Sequence, residues 1–107
     1  MNPYGYVKDA TLGDDRLLSL CAGVGFELNG IGCKEIVAVD IYQPHIDKIK
    51  IEYPSVVGVC SDALKYLKTQ EDNSFDVVSL IDGLEHMPKK VGLKVLAECV
   101  RVCSREV

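Results

Sequence analysis

The sequence has no tryptophan, only two histidines and no apolar run longer than a β-strand. Its longest apolar stretches, such as residues 36–39, fall far short of the roughly 18 residues that a membrane-spanning helix needs. At the amino terminus no basic segment is followed by an apolar one, so we predict no signal peptide. We therefore expect no membrane partner and a cytoplasmic location.

An excess of basic side chains is also missing. The 12 Lys and Arg residues stand against 16 Asp and Glu residues, which gives a formal net charge of −4. Nucleic-acid-binding domains usually carry a basic patch, so we predict no nucleic-acid partner. A chain of 107 residues, 48% of them hydrophobic, has the size and composition of one globular domain. We expect a single domain over residues 1–107.

The five cysteines include no C-x-x-C pair. Cys99 and Cys103 stand four residues apart, but two thiols do not complete a structural zinc site, and both histidines are distant in sequence. We therefore predict no metal site. The cysteines are expected to be reduced, mostly buried, and to act as small hydrophobic side chains.

Short apolar runs alternate with amphipathic segments along the chain. The runs predict four strands, at residues 16–20, 36–39, 56–59 and 75–81. We expect a short helix after the first strand and further helices that begin near Pro44, Ala63 and Pro88. The spacing in the last helix predicts a buried face made of Leu93, Leu96, Ala97 and Val100. Because the strands are apolar on both sides, we predict a doubly wound, Rossmann-like α/β fold with a parallel sheet in the order 3-2-1-4.

Small or acidic residues follow each predicted strand. Gly23 and Gly25 come after the first, and Asp40, Asp62 and Asp82 come after the other three. In doubly wound sheets, ligands bind beyond the carboxyl ends of the strands, where a carboxylate can accept hydrogen bonds from both hydroxyls of an adenosine ribose. A single glycine is more often part of a turn, and a single aspartate is often a helix N-cap. The ordered set favours a nucleoside site.

The dinucleotide fingerprint G-x-G-x-x-G is only half present. Gly23 and Gly25 match its first two glycines, but Leu28 stands where the third would fall. The sequence therefore does not favour NAD as the ligand, and an NAD-binding Rossmann domain is kept only as an alternative hypothesis.

Four segments resemble, in order, motifs of one known family, the class I S-adenosylmethionine-dependent methyltransferases. Residues 17–25 resemble the first motif, a strand and a glycine-rich turn, and residues 37–41 resemble the second, with its ribose-binding acid. Residues 60–63 resemble the adenine-binding segment. Residues 74–88 resemble the fourth strand and following loop of small-molecule methyltransferases of the ubiquinone-biosynthesis type. The resemblance covers residues 16 to about 103.

The resemblance implies S-adenosylmethionine (SAM) as cofactor and S-adenosylhomocysteine (SAH) as product. The cofactor-binding residues that it implies are Ser19, Cys21, Ala22, Gly23, Gly25, Asp40, Ile41, Asp62, Ala63 and Asp82. Asp40 would bind the ribose, Asp62 would bind the exocyclic amine of adenine, and Ala63 would offer a backbone N–H. His86 is the candidate general base for a hydroxyl or thiol acceptor. Its alternative role is that of a loop residue packed against the last helix.

The sequence departs from the family at two positions and in length. Ser19 stands where the family often has an acid, and Cys21 stands where it often has glycine, which is expected to weaken cofactor binding. The family's sheet has further strands, and we expect this one to be truncated after the fourth. Two main hypotheses stay open beside the NAD-binding domain. One is methyl transfer to a small-molecule acceptor, and the other is a catalytically incomplete SAM- or SAH-binding module or a fragment of a longer methyltransferase.

The predicted strand order places the fourth strand at an edge of the sheet. Residues 77–81 are mostly apolar and include no lysine or proline. Unprotected edge strands of this kind pair with other chains. Without a further strand, the last helix would also leave Val95, Cys99 and Val102 less buried than an intact fold would. We therefore expect a homo-oligomer, namely a two-fold dimer.

Overall fold

The computed structural model describes residues 13, 15–23, 25, 28, 31–80 and 87–106. Within these residues the chain forms five strands and three helices: β1 (Arg16–Leu20), β2 (Glu35–Asp40), α1 (Gln43–Glu52), β3 (Val57–Cys60), α2 (Ala63–Lys68), β4 (Phe75–Ser79), α3 (Lys89–Val102) and β5 (Cys103–Glu106). The short helix predicted after β1 falls largely outside the described residues. In the described part of the chain, no helix is long and apolar enough to cross a membrane.

The sheet is parallel throughout its described strands, in the order β3-β2-β1-β4-β5. β1 lies at its centre, with Leu18 between Val37 of β2 and Val78 of β4. The predicted order of the first four strands is confirmed. The bounds of β1 are those predicted, whereas β2 is one residue longer at each end, β3 is shifted by one residue and β4 ends two residues earlier, at Ser79.

Alternate strand residues pack on opposite faces of the sheet, as the two-residue period of a strand requires. On one face, Leu18 packs in a cluster with Leu67 of α2 and Val95 of α3. On the other face, Leu17 packs in a cluster with Ile46 of α1. All five side chains are fully buried. Helices therefore cover both faces, which confirms the doubly wound α/β fold.

The predicted edge position of β4 is wrong. β5 pairs with it in parallel, with Phe75 opposite Cys103, and the Ser104 hydroxyl donates to Asp76 Oδ1 over 3.2 Å. The prediction missed β5 because its sequence, Cys-Ser-Arg-Glu, lacks the apolar character of the other strands. The sheet therefore continues beyond the fourth strand. The predicted dimer relied on an unpaired edge at β4, and that edge is covered by β5.

The predicted buried face of α3 is also wrong. Leu93 and Val100 are 58% and 67% exposed, whereas Val95, Cys99 and Val102 are fully buried. Both sets recur at helical spacing, so periodicity alone does not distinguish the face that meets the sheet. The expectation that Val95, Cys99 and Val102 would lose their cover is wrong for a different reason, because the sheet continues into β5 and all three side chains are fully buried.

The cysteines differ widely in burial. Cys99 packs in the core, and burial raises its pKa from the ordinary value of 9.0 to about 12. Cys21, Cys33 and Cys103 are half-buried, and Cys60 is exposed. The prediction of a small hydrophobic side chain therefore holds fully for Cys99 and is wrong for Cys60.

Candidate functional site

A cavity of about 420 Å³ opens at the carboxyl ends of the first three strands. Its described lining residues are Cys21, Gly23, Val39, Asp40, Ile41, His45, Ser61, Asp62, Ala63 and Met87. Parallel sheets bind ligands at this end because the crossover helices begin there and leave a crevice between them. Six of the sequence-predicted site residues line this one cavity: Cys21, Gly23, Asp40, Ile41, Asp62 and Ala63.

The turn after β1 has an unusual backbone. Cys21, Gly23 and Gly25 all have positive φ angles, of 53°, 59° and 87°. Glycine adopts this region readily, whereas a cysteine there is strained. A Cβ placed on Gly23 would meet no atom within 4 Å, so a ligand in the cavity can approach the backbone at this point.

Asp40 connects that turn to the end of β2. The residue is only 9% exposed, and its carboxylate accepts the Gly23 N–H at Oδ2 over 2.8 Å. Oδ1 accepts the Tyr42 N–H over 2.9 Å and lies 3.3 Å from Nδ1 of His45. Hydrogen bonds to a charged oxygen are among the stronger ones in proteins. The carboxylate is therefore held in one position at the wall of the cavity.

Asp62 is the N-cap of α2. Its Oδ2 accepts the Lys65 N–H over 3.0 Å, so the simpler explanation given for an aspartate after a strand applies to this oxygen. The residue also lines the cavity, next to Ser61 and Ala63. The Ser61 N–H donates to the Asp40 carbonyl oxygen over 3.0 Å, which fixes the Asp62 segment beside β2.

Three predicted residues support the cavity without lining it. Ser19 is fully buried within β1, and the Ala22 N–H donates to the Val39 carbonyl oxygen over 3.1 Å. A Cβ on Gly25 would lie 3.1 Å from the Tyr53 ring and 3.2 Å from Ile49, so this glycine allows the turn to pack against α1. Asp82 and His86 lie outside the described residues.

Four lining residues were not among the predicted site residues: Val39, His45, Ser61 and Met87. His45 stands in the first turn of α1, and its ring contacts the Tyr42 ring edge-on with centroids 4.7 Å apart. Its position five residues after Asp40, in a helix that starts at the end of a strand, was the available signal. Met87 follows the undescribed residues 81–86 and has no comparable signal.

The charges of the lining are one-sided. Asp40 and Asp62 contribute carboxylates, and no lysine or arginine belongs to the described lining. Among the described residues, no group of three or more His, Cys, Asp or Glu side chains could hold a metal ion. The cavity therefore suits a ligand that donates hydrogen bonds from hydroxyls or amines, or that carries positive charge.

The family described as "Methyltransferase domain" matches residues 18–106. This chain belongs to the methyltransferase domain family. The match begins in β1 and ends in β5, so it includes the whole cavity-forming part of the sheet. No curated protein matches the chain.

Solved structures agree with this assignment. A SAM-dependent methyltransferase from Archaeoglobus fulgidus is 29% identical with a TM-score of 0.71, and the alignment covers 94% of this chain and 43% of that one. A protein of Pyrococcus horikoshii OT3 is 30% identical with a TM-score of 0.74, at 94% and 49% coverage. SAM is the cofactor that the family and such neighbours imply, with SAH as its product.

The fold is not restricted to methyl transfer. The cyclase SpnF superposes with a TM-score of 0.79 at 21% identity, covering 94% of this methyltransferase domain and 40% of the cyclase. At such identity the likeness concerns the fold alone, and a shared fold does not determine the reaction. The chain spans less than half of the length of all three neighbours.

Proposed function

We propose that this chain is the SAM-binding part of a methyltransferase that acts on a small-molecule acceptor. The observation that carries the proposal is the Asp40 carboxylate, held between the Gly23 and Tyr42 amides at the wall of the cavity. A buried carboxylate beside an unobstructed glycine backbone is suited to the hydroxyls of a ribose.

The remaining lining residues have complementary roles in the proposal. Ile41, which is 71% exposed beside Asp40, offers an apolar surface to the adenine ring. Asp62 and the Ala63 N–H recognise the polar edge of that ring. Cys21 and Gly23 lie against the methionine part, and Ser19, Ala22 and Gly25 shape the turn that carries them. Asp82 completes the set as a prediction from sequence alone.

The reaction asks little covalent chemistry of the protein. When bound, SAM supplies a sulfonium that is a strong methyl donor, so the main task of this chain is to hold the donor in the orientation that the reaction needs. The negative lining favours a cationic sulfonium. His86 is our candidate for accepting the proton of a hydroxyl or thiol acceptor, again from sequence alone.

Two alternatives remain distinct in their predictions. An NAD-binding domain must accept a pyrophosphate, and a lining with two carboxylates and no described lysine or arginine disfavours it. A catalytically incomplete SAM-binding module would bind SAH as tightly as an enzyme does but transfer no methyl group. The coverage of 40–49% of the neighbours keeps that alternative open.

Calorimetric titration with SAH tests the proposal directly. We expect binding that Asp40→Ala weakens by about tenfold or more, because a charge-assisted acceptor is lost. Asp47→Ala is the matched control, since Asp47 is an exposed α1 carboxylate bonded to Gln43 and lies outside the cavity lining. No binding of SAH at millimolar concentration, or tighter binding of NAD, would contradict the proposal.

We also propose self-association, now through α3. Leu93, Ala97 and Val100 form an exposed stripe on this helix, which a two-fold contact would bury against a second copy. Light scattering after size exclusion should give twice the chain mass, and Leu93→Lys should reduce it. A monomer at high micromolar concentration would exclude the dimer. A cytoplasmic location remains a prediction from the sequence.

A further inference from the structure

Asp40 already has three protein partners. The amides of Gly23 and Tyr42 and the ring nitrogen Nδ1 of His45 all approach its carboxylate oxygens. A carboxylate offers about four lone-pair positions to donors. Two ribose hydroxyls added to three protein partners exceed that number. One existing partner must therefore withdraw before both hydroxyls can bind.

His45 is the partner that can withdraw. The two amide contacts, at 2.8 and 2.9 Å, come from the backbone, whose position is fixed by the turn after β1 and the start of α1. The His45 contact is longer, at 3.3 Å, and comes from a side chain that is 37% exposed. Rotation of this side chain would free Oδ1 without disturbing the helix.

We propose that His45 is a positioning residue that competes with the cofactor ribose for Asp40 Oδ1 and so sets the affinity of the site. This inference rests on the proposed function, and it adds a regulating residue that the SAM-binding role alone does not require. In the absence of ligand, the neutral His45 ring carries its proton on Nδ1 and donates it to Oδ1. Ribose binding replaces that donor with a hydroxyl.

Protonation of His45 strengthens the competition. An imidazolium forms a charge-assisted hydrogen bond with the carboxylate, which a neutral hydroxyl displaces less easily. The groups that face His45 are Asp40 at the end of β2 and the Tyr42 ring, while Cys21 after β1 and Asp62 before α2 are the other titratable side chains of the described lining. The affinity for SAH should therefore be lower when His45 is charged than when it is neutral.

Calorimetry with SAH at pH 8 and pH 5.5 tests the competition. For the unmodified chain we expect about fivefold weaker binding at pH 5.5, a modest effect because His45 is partly exposed. His45→Phe, which neither donates nor titrates, should bind equally at both pH values and more tightly than the unmodified chain at pH 5.5. His45→Asn, which retains a neutral donor, should bind without pH dependence and less tightly than His45→Phe.

A purely structural role predicts the opposite pattern. If His45 only held Asp40 in place, His45→Phe would bind SAH more weakly at both pH values. That result, or an unchanged pH dependence in His45→Phe, overturns the inference while leaving the proposed function intact. If neither the unmodified chain nor either His45 variant binds SAH at pH 8, both this inference and the proposed function are overturned.

Nitrogen-15 NMR of the histidine rings gives a readout that needs no ligand. The chain has only two histidines, so the resonances missing from His45→Phe identify those of His45. At pH 8 we expect the Nδ1–H tautomer of His45 without SAH, and a shift away from it when SAH is added. If His45 is instead the neutral Nε2–H tautomer before SAH is added, its Nδ1 cannot donate to Asp40, which would contradict the proposed contact.

Discussion

The two ends of the same parallel sheet use their charged groups in opposite ways. At the amino end, Arg105 forms a two-point ion pair with the buried Asp15, and the Arg16 N–H donates to Asp76 Oδ2 over 2.8 Å. At the carboxyl end, the carboxylates of Asp40 and Asp62 accept backbone N–H groups and face the cavity.

The difference separates stability from function within one layer. At the amino end, the Arg16 guanidinium pairs with Glu35 over 3.1 Å and stacks on the Phe75 ring at 4.7 Å. The charged side chains at the amino end are thus paired with one another. At the carboxyl end, His45 is the one basic side chain of the described lining, so most of the charge complementarity is left for a ligand to supply. The amino end fastens β1, β4 and β5 together, and the carboxyl end is the site at which we propose that SAM binds.

The largest expected effect comes from breaking the amino end. Asp15→Ala removes the carboxylate of a residue that is only 4% exposed and leaves Arg105 without its bidentate partner. We expect the free energy of unfolding to fall by about 2–3 kcal/mol, with SAH affinity unchanged after the folded fraction is accounted for. Urea unfolding followed by circular dichroism measures the first, and calorimetry measures the second.

Lys48→Ala is the matched control for that variant. It removes the exposed Lys48–Glu52 pair on α1, whose atoms lie 3.9 Å apart, and should cost no more than about 0.5 kcal/mol. An Asp15→Ala variant as stable as Lys48→Ala would show that the amino end is not a stabilising clamp. A large loss of SAH affinity in Asp15→Ala would show that the two ends are not separate.

The buried thiol of Cys99, in the core between the two ends, should make the free energy of unfolding depend on pH. Burial raises the pKa of Cys99 from 9.0 to about 12, so the unfolded chain loses this proton before the folded one does. The protonated thiol therefore makes its full contribution to the free energy of unfolding below pH 9.0. That contribution is lost as the pH rises towards 12, by up to about 1 kcal/mol per pH unit. Unfolding measured from pH 8 to pH 11 should therefore be less pH-dependent in Cys99→Val than in the unmodified chain. An equal slope in both would contradict this assignment.

The smallest effect is expected at the turn after β1, where the carboxyl end is strained. Cys21→Gly removes a side chain from a residue with φ of 53°. Relief of the left-handed backbone, partly offset by the greater freedom of glycine when unfolded, should stabilise the chain by up to about 1 kcal/mol. SAH affinity should rise as well, because Cys21 lines the cavity. Weaker SAH binding by Cys21→Gly would assign the thiol a favourable contact instead.

The sequence predicted the carboxyl end better than the sheet's margins. Strand ends are marked by residue type, so Gly23, Asp40 and Asp62 could be placed together from the order of the strands alone. β5 could not be predicted, because its register depends on pairing with Phe75 and Val77 rather than on apolar character of its own. A segment without an apolar pattern of its own gives no local sign that it will pair with a strand that is distant in sequence.

The face of α3 and the contact between His45 and Asp40 were missed for related physical reasons. Leu93 and Val95 are both apolar and only two residues apart, so the choice of buried face depends on how the helix docks on the sheet. His45 stands five residues after Asp40, but this spacing alone did not single it out, because its contact with Asp40 also depends on how α1 packs beside the end of β2.

Mapping SAH binding by amide NMR tests the separation of the two ends most directly. On addition of SAH, the amide resonances of residues 21–23, 40–42 and 61–63 at the carboxyl end should shift. Those of residues 15, 16, 74–76 and 104–105 at the amino end should keep their positions. Shifts concentrated at the amino end, or spread equally over both ends, would contradict the account.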